Sequence, residues 1–392
     1  MFKQRTSAMS EVDTAVQTRR KFRMVALDLD GTLLDSNHEI SDSTCQYLRK
    51  LHDKGFIVSI ATGRSAACTA HIIDKLNLSP LSIPAELSSG NKNSGGFPLV
   101  CTNGARGLRV LRKTNSEIAT GLNKAVDKAP RRSSTEPIPS LNNDEDTDLA
   151  PTNLFLNETI IVNEELFHSP LSSELTFKTL ALAHKMNCVT NYYHNHNIYA
   201  VVRNGYHMEL TKRYAKLTGS EELYRYLNVE NSTGDDAVMY NNKNVYGYQK
   251  AVEHGLPSKL LILCDTEQLD EVTSRVRLEL NGSPSTIQAH VIRGSPPFFV
   301  EILDPHVNKG RGLQLLCESL SVPLEEVIAF GDGDNDLEFI QMAGRGVAMK
   351  NARDSLKKVA DEVGEWTNHE DGVIKTLQQY EAKGMLHFPF ED

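Results

Sequence analysis

Met24-Val25-Ala26-Leu27-Asp28-Leu29-Asp30-Gly31-Thr32 is the stretch that sets the reading of this chain. Its apolar start has no polar face, which is the form of a parallel strand buried on both sides. Asp28 and Asp30 are two apart, so along an extended backbone their side chains face the same way. At ~4 Å and an effective dielectric near 20, two such charges repel by roughly 4 kcal/mol, which only a proton or cation between them relieves. Gly31 lets the chain leave the strand sharply. Taken alone, the pentapeptide from Asp28 also fits an Asx turn with Thr32 as a helix N-cap.

Outward from this strand the order is α/β. Ser41 reads as an N-cap for a helix carrying Leu48 and Leu51 and stopping at Gly55. Phe56 to Ala61 reads as a second buried strand, His71 to Leu76 lies in a further helix, and Leu99 to Cys101 is a third strand. Strand and helix alternating at this spacing predict an open, Rossmann-like parallel sheet. Glu86 to Gly96 and Lys128 to Thr152 are rich in Ser, Asn, Pro, Gly and charge. They read as surface insertions with too little apolar surface to offset their ordering entropy. Asn197 to Val202, Lys259 to Cys264 and Phe298 to Leu303 read as strands of a different style, with Thr266 to Leu280 as a helix. The first style returns with a helix near Arg311 to Leu320 and a strand from Val327 to Phe330. The simplest account is one sheet domain split by a large inserted domain. It divides into a disordered tail over 1–22, a core over 23–103, an insertion over 104–304 containing the low-complexity stretch near 128–152, and a returning core over 305–392.

Two more clusters follow predicted strands, where open α/β sheets bind ligands. Ile60-Ala61-Thr62-Gly63-Arg64 places a hydroxyl and a glycine amide before a helix, which makes either a small anion-binding nest or an ordinary strand-to-helix turn. Phe330-Gly331-Asp332-Gly333-Asp334-Asn335-Asp336 sets three aspartates within five positions. That density of hard oxygen ligands suits Mg²⁺, and the twelve-position spacing of a calcium EF-hand with its terminal glutamate is absent. Lys309, in Asn308-Lys309-Gly310, is a lone charge before a helix, promoted only by this company.

Composition bounds the possible functions. The chain has 392 residues, 40 % hydrophobic and 24 % charged, with 42 basic against 51 acidic side chains for a net charge of −9. A net-acidic chain lacks the basic footprint that nucleic acid or anionic lipid requires. No apolar run approaches the roughly 18 residues of a membrane span, so a soluble protein is expected. The six cysteines are scattered without a Cys-x-x-Cys pair, which predicts buried, reduced thiols and a cytoplasmic setting. The tail mixes Arg19, Arg20, Lys21 and Arg23 with Glu11 and Asp13, whereas organelle transit peptides avoid acids. His194 and His196 share a strand face but lack a third ligand, so a polar hairpin is expected there rather than a metal site. His207 is placed where an inserted domain could present it to a substrate.

Together these motifs resemble the haloacid dehalogenase superfamily, in particular its Cof-type phosphatases with a large α+β cap inserted after the second motif. Asp28 and Asp30 match the first motif (DxDGT), Thr62 the second, Lys309 the third, and Asp332 with Asp336 the fourth, in the order the family requires. Thr102-Asn103-Gly104-Ala105, Gly346-Val347-Ala348-Met349-Lys350-Asn351-Ala352 and Glu370-Asp371-Gly372-Val373 extend the likeness. Phe339 departs from it, standing where family members often have methionine. The resemblance implies Asp28 as nucleophile, Asp30 as general acid and base, and Lys309, Thr62, Gly63 and Asn335 gripping phosphoryl oxygens. It implies Mg²⁺ on Asp28, the backbone carbonyl of Asp30, Asp332 and, directly or through water, Asp336. The expected activity is hydrolysis of a small phosphate ester, foremost a sugar phosphate, by a monomer or small homo-oligomer without nucleic-acid or membrane partners. A phosphotransferase or mutase of the same fold is the alternative. A non-catalytic phosphate sensor is a third reading, against which the presence of both Asp28 and Asp30 counts.

Overall fold

The computed structural model describes residues 21–78, 96–114, 154–156, 159–227, 239–240, 243–283, 288–294 and 296–390. Most of the expected tail, residues 86–95 of the first expected insertion and all of the second lie outside these residues. The tail's last residue, Phe22, is part of the core: it is buried and forms a parallel bridge with Leu386.

Met24–Leu27 is a strand with every residue buried, paired in parallel with Ile57–Ala61 on one side and Val327–Gly331 on the other. These three strands are the centre of a nine-stranded sheet. Arg345–Ala348 and Glu362–Val363 extend it beyond Val327–Gly331, and Phe97–Cys101 extends it beyond Ile57–Ala61. Every pairing from Glu362–Val363 to Phe97–Cys101 is parallel. The apolar runs therefore do what their lack of a polar face demands, burying Met24, Val25, Ala26 and Leu27 together with Val327, Ile328, Ala329 and Phe330. At ~25 cal/mol per Å², a fully buried side chain of this kind contributes about 1.5–3 kcal/mol.

The helix Asp42–Asp53 starts where Ser41 was expected to cap it: Ser41 Oγ accepts from the Thr44 amide at 3.1 Å. Ser41, Ser43 and Thr44 hydroxyls also donate to Asp371, tying this helix to the helix Gly372–Ala382. A similar Ser65 cap opens the helix Ala66–Leu76, directly after Thr62-Gly63-Arg64.

The first sheet takes in more of the chain than its parallel strands. Arg106–Thr114 and Thr159–His168, read from sequence as part of the inserted domain, pair antiparallel with the first sheet and extend it, with Leu154–Leu156 at its edge. The cause is local: Thr102, Asn103 and Gly104 have φ of +56°, +52° and +98°, and this left-handed run reverses the chain onto Phe97–Cys101. Glycine is required at 104, because a Cβ there would lie 2.1 Å from the Asn308 carbonyl oxygen.

A separate six-stranded sheet follows, in the order His290–Arg293, Phe299–Leu303, Lys259–Leu263, Val189–His194, Asn197–Val201 and Tyr224–Leu227. All of its pairings are antiparallel except the last. Alternate residues face opposite sides, the period-two signature of a sheet. Tyr192, Leu260 and Ile262 pack toward the helices Ser173–Lys185 and Leu269–Asn281, while Tyr193, Leu261 and Leu263 pack toward Gly205–Thr218. This is the α+β character expected of the insertion.

Candidate active site

The three sequence clusters converge at the carboxyl ends of the central strands. Asp28 continues the Met24–Leu27 strand, its amide donating to Phe330 O at 3.0 Å. Asp332 and Asp336 follow Val327–Gly331, and Lys309 begins the helix Lys309–Leu320, which Asn308 caps by accepting from the Arg311 amide at 2.8 Å. Asp28, Lys309 and Asp336 are all buried. Lys309 Nζ donates to both carboxylates, reaching Asp336 Oδ1 at 2.7 Å and Asp28 Oδ1 at shorter range. Thr32 Oγ1 donates to Asp28 Oδ2 at 3.1 Å and approaches Asp332 Oδ1 at 3.4 Å. The amides of Asp332 and Gly333 both donate to Asp336 Oδ2 at 3.0 Å, which fixes that carboxylate in the loop. Thr32 is therefore a partner of the acids and not a helix cap.

Crowding shows in the titration behaviour. Burial pushes the Asp28 carboxyl well above its ordinary value; Lys309 opposes the shift, while Asp336 and Asp332 add to it. Burial and the neighbouring Asp336 push Asp332 up to about 6. Lys309 moves up: burial alone would lower it, but the charges of Asp28 and Asp336 prevail. One cation thus stands among three acids. Carboxylate oxygens of Asp28, Asp332 and Asp336 lie within 4.8 Å of one another, and among the described residues they are the group of side chains able to share one ion. A set of hard oxygen donors holding surplus negative charge fits a divalent cation such as Mg²⁺. The fit is tight at Gly31, where φ is +80° and a Cβ would fall 2.3 Å from Asp332 Oδ2.

The Asp30 side chain turns away from this cluster. It is exposed, and Arg64 grips it in bidentate fashion, Nε to Oδ2 at 2.9 Å and Nη2 to Oδ1 at 2.5 Å, with His38 Nδ1 at 3.0 Å. Partial burial raises its pKa, but the bonds and charge of Arg64, with His38, more than reverse this and leave it below the ordinary carboxylate value.

The expected phosphate-gripping residues meet around Asn103. Thr62 is buried, and its Oγ1 accepts from the Arg64 amide at 3.1 Å. The Asn103 amide donates to Thr62 O at 3.0 Å, and Asn335 Nδ2 donates to Asn103 Oδ1 at 3.2 Å. A Cβ on Gly63 would meet Asn103 Oδ1 at 2.9 Å. On the far side, Asn103 Nδ2 donates to Glu301 Oε1 at 2.9 Å; Lys259 Nζ donates to Glu301 Oε1 at 3.3 Å and to Gly63 O at 3.0 Å.

Arg64 and Asn103 stand inside the sequence motifs without a role that the sequence assigns, and neither Lys259 nor Glu301 belongs to a motif. The signal was a lysine opening the apolar run Lys259–Leu263 and a glutamate inside Phe299–Leu303. His194 and His196 lie apart from the acidic group. His194 Nδ1 meets Leu256 O at 3.1 Å, and His196 is pushed down to about 4 by burial and Arg106. His207 is buried with Nε2 donating to Asn187 O at 3.0 Å, a bond internal to the inserted segment.

Clustered acids and a buried lysine thus stand at the carboxyl ends of a parallel sheet, where open α/β folds bind ligands. The haloacid dehalogenase-like hydrolase family model matches residues 25–107 and 156–377, and the chain belongs to that family. It is similar to the 5-amino-6-(5-phospho-D-ribitylamino)uracil phosphatase YitU of Bacillus subtilis, with 24 % identity over 91 % of this chain and 97 % of that protein. Its fold is shared with a haloacid dehalogenase-like hydrolase from Bacteroides thetaiotaomicron, with a TM-score of 0.58, 23 % identity, and coverage of 92 % of this chain and 99 % of that one. It is shared too with the subclass IIB sugar phosphatase BT4131, with a TM-score of 0.54, 19 % identity, and coverage of 92 % and 99 %. Within the family the chain is of the Cof type, a phosphoric monoester hydrolase. Among the described residues, no helix is long and apolar enough to cross a membrane.

Proposed function

We propose that this enzyme is a Mg²⁺-dependent phosphatase of a small phosphorylated metabolite, foremost a sugar phosphate, working through an aspartyl-phosphate on Asp28. The observation that carries the reading is the buried Asp28–Lys309–Asp336 cluster with Asp332 beside it. No packing requirement would gather three carboxylates around one ammonium, because desolvating each charge costs several kcal/mol. Asp28, Asp332 and Asp336, with the Asp30 carbonyl, would hold the cation. Bound there, it would supply the positive charge that ionises Asp28 and lets it approach an anionic ester.

In the first half-reaction an Asp28 carboxylate oxygen forms a bond to phosphorus. The bond to the leaving oxygen breaks, and Asp30 delivers its proton to that oxygen. Arg64 holds Asp30 in the ionised state in the free enzyme. An arriving phosphate dianion that draws Arg64 to itself would raise the Asp30 pKa, so that Asp30 takes up a proton from solvent before it protonates the leaving oxygen. In the second half-reaction Asp30 takes a proton from water, whose oxygen attacks phosphorus and frees Asp28. Lys309, Thr62, the Gly63 amide and Asn335 steady the phosphoryl oxygens as charge redistributes. The sugar-phosphate preference is supported by the likeness to a sugar phosphatase. A screen of phosphorylated metabolites for Mg²⁺-dependent phosphate release, without an added acceptor, tests the proposal. Release from a sugar phosphate is expected; phosphoryl transfer that requires a second sugar would favour the mutase alternative.

A further inference from the structure

Lys259 and Glu301 are charged residues in strands otherwise given to the core of the second sheet. Leu260, Leu261, Ile262 and Leu263 beside Lys259, and Val300 and Ile302 beside Glu301, are all buried. The two charges are buried as well, with side chains 3 % and 6 % exposed, and Lys259 Nζ lies 4.8 Å from the centre of the Tyr193 ring. A buried ion pair is seldom worth more to stability than an apolar pair of the same volume. Its retention here calls for something other than packing.

The partners of the pair supply it. Lys259 donates to the Gly63 carbonyl, in the loop that carries Thr62. Glu301 accepts from Asn103, which binds Thr62 O through its backbone and Asn335 through its side chain. One network thus runs from the second sheet to both loops that offer groups to a phosphoryl oxygen. Asn103 lies at φ +52°, a left-handed position that a fixed side-chain partner helps to hold.

We propose that Lys259 and Glu301 are positioning residues for phosphoryl transfer, setting the Thr62-Gly63 loop against Asn335 from the second sheet; this rests on the phosphatase reading above. Neither touches the reacting atoms. The pair makes the geometry of the phosphate grip depend on the second sheet being seated against the first.

The test compares the wild type with Lys259→Met/Glu301→Leu, which replaces both charges by apolar groups and leaves no lone buried ion. The readouts are Mg²⁺-dependent hydrolysis of p-nitrophenyl phosphate, inhibition by orthovanadate, and the melting temperature. The double variant is expected to melt at or above the wild-type temperature. Its kcat/KM should fall about 100-fold, chiefly in kcat, as for a misplacement near 1 Å, and orthovanadate inhibition should weaken in step. Wild-type kcat/KM and orthovanadate inhibition in that variant would overturn the proposal, since a purely structural pair predicts them. If it fails to fold, Lys259→Met/Glu301→Gln carries the same test, because it keeps an acceptor for Asn103 and removes the donor to Gly63. A reduced kcat there supports the proposal and an unchanged kcat overturns it. A wild-type chain inert toward every monoester would sink the phosphatase reading along with this one, whereas an active wild type with an unimpaired double variant sinks only this one.

Discussion

Replacing Asp332 by asparagine should stabilise the cation-free protein at neutral pH, although it removes a proposed cation ligand. In the folded state burial and Asp336 hold the Asp332 carboxyl at about 6, against 3.8 for the free group. A folded-state pKa raised in this way means a contribution to stability that is present below pH 3.8 and lost as pH rises through about 6. At neutral pH the ionised carboxylate costs the folded state up to about 3 kcal/mol, from 1.36 kcal/mol per pKa unit. Asparagine occupies nearly the same volume and carries no charge. Chemical denaturation of both proteins in chelator should therefore give curves close together near pH 4, and Asp332→Asn up to about 3 kcal/mol more stable near pH 7.5. Excess Mg²⁺ should then raise the wild type, since a ligand that binds only the folded state stabilises it, and leave the variant nearly unmoved. A variant equal to or weaker than the wild type at neutral pH in chelator would refute the argument that these acids are crowded for a cation.

Other outcomes follow from the same geometry. Asp28→Asn should abolish phosphate release while the circular dichroism spectrum and melting behaviour show an intact fold. Gly31→Ala should cost roughly 1–2 kcal/mol for the positive φ alone and also depress activity, because its Cβ would meet the Asp332 carboxylate; denaturation and phosphate release read the two effects. Arg64→Gln should let the Asp30 pKa rise, so the limb of the pH–kcat profile set by that group should move to higher pH. Ser41→Ala should lose about 1 kcal/mol for the N-cap, and somewhat more because Asp371 also loses a donor, without a change in kcat.

The parts of this molecule that could be read from the chain are those whose physics is local. Apolar runs such as Met24–Leu27 and Val327–Gly331 have one stable disposition, a parallel strand covered on both faces. Aspartates crowded just past their ends could be tolerated only in company. Asp28, Lys309, Asp332 and Asp336 lie together, a meeting that the family likeness implied and no spacing along the chain could. What could not be read is pairing across distance. Nothing in the sequences of Arg106–Thr114 and Thr159–His168 assigns them to one sheet rather than the other, and only the reversal at Thr102–Gly104 sends them to the first. Likewise the Arg64 clamp on Asp30 and the Lys259–Glu301 bridge to Asn103 depend on which strand ends are brought together, not on any spacing within one segment.

The most direct test is a Mg²⁺ titration of phosphate release from a panel of phosphorylated sugars, run on the wild type and on Asp28→Asn. The account predicts release by the wild type that is absent in chelator, saturates with Mg²⁺ and vanishes in the variant. Release that is indifferent to chelator, or that survives loss of the Asp28 carboxylate, would contradict it.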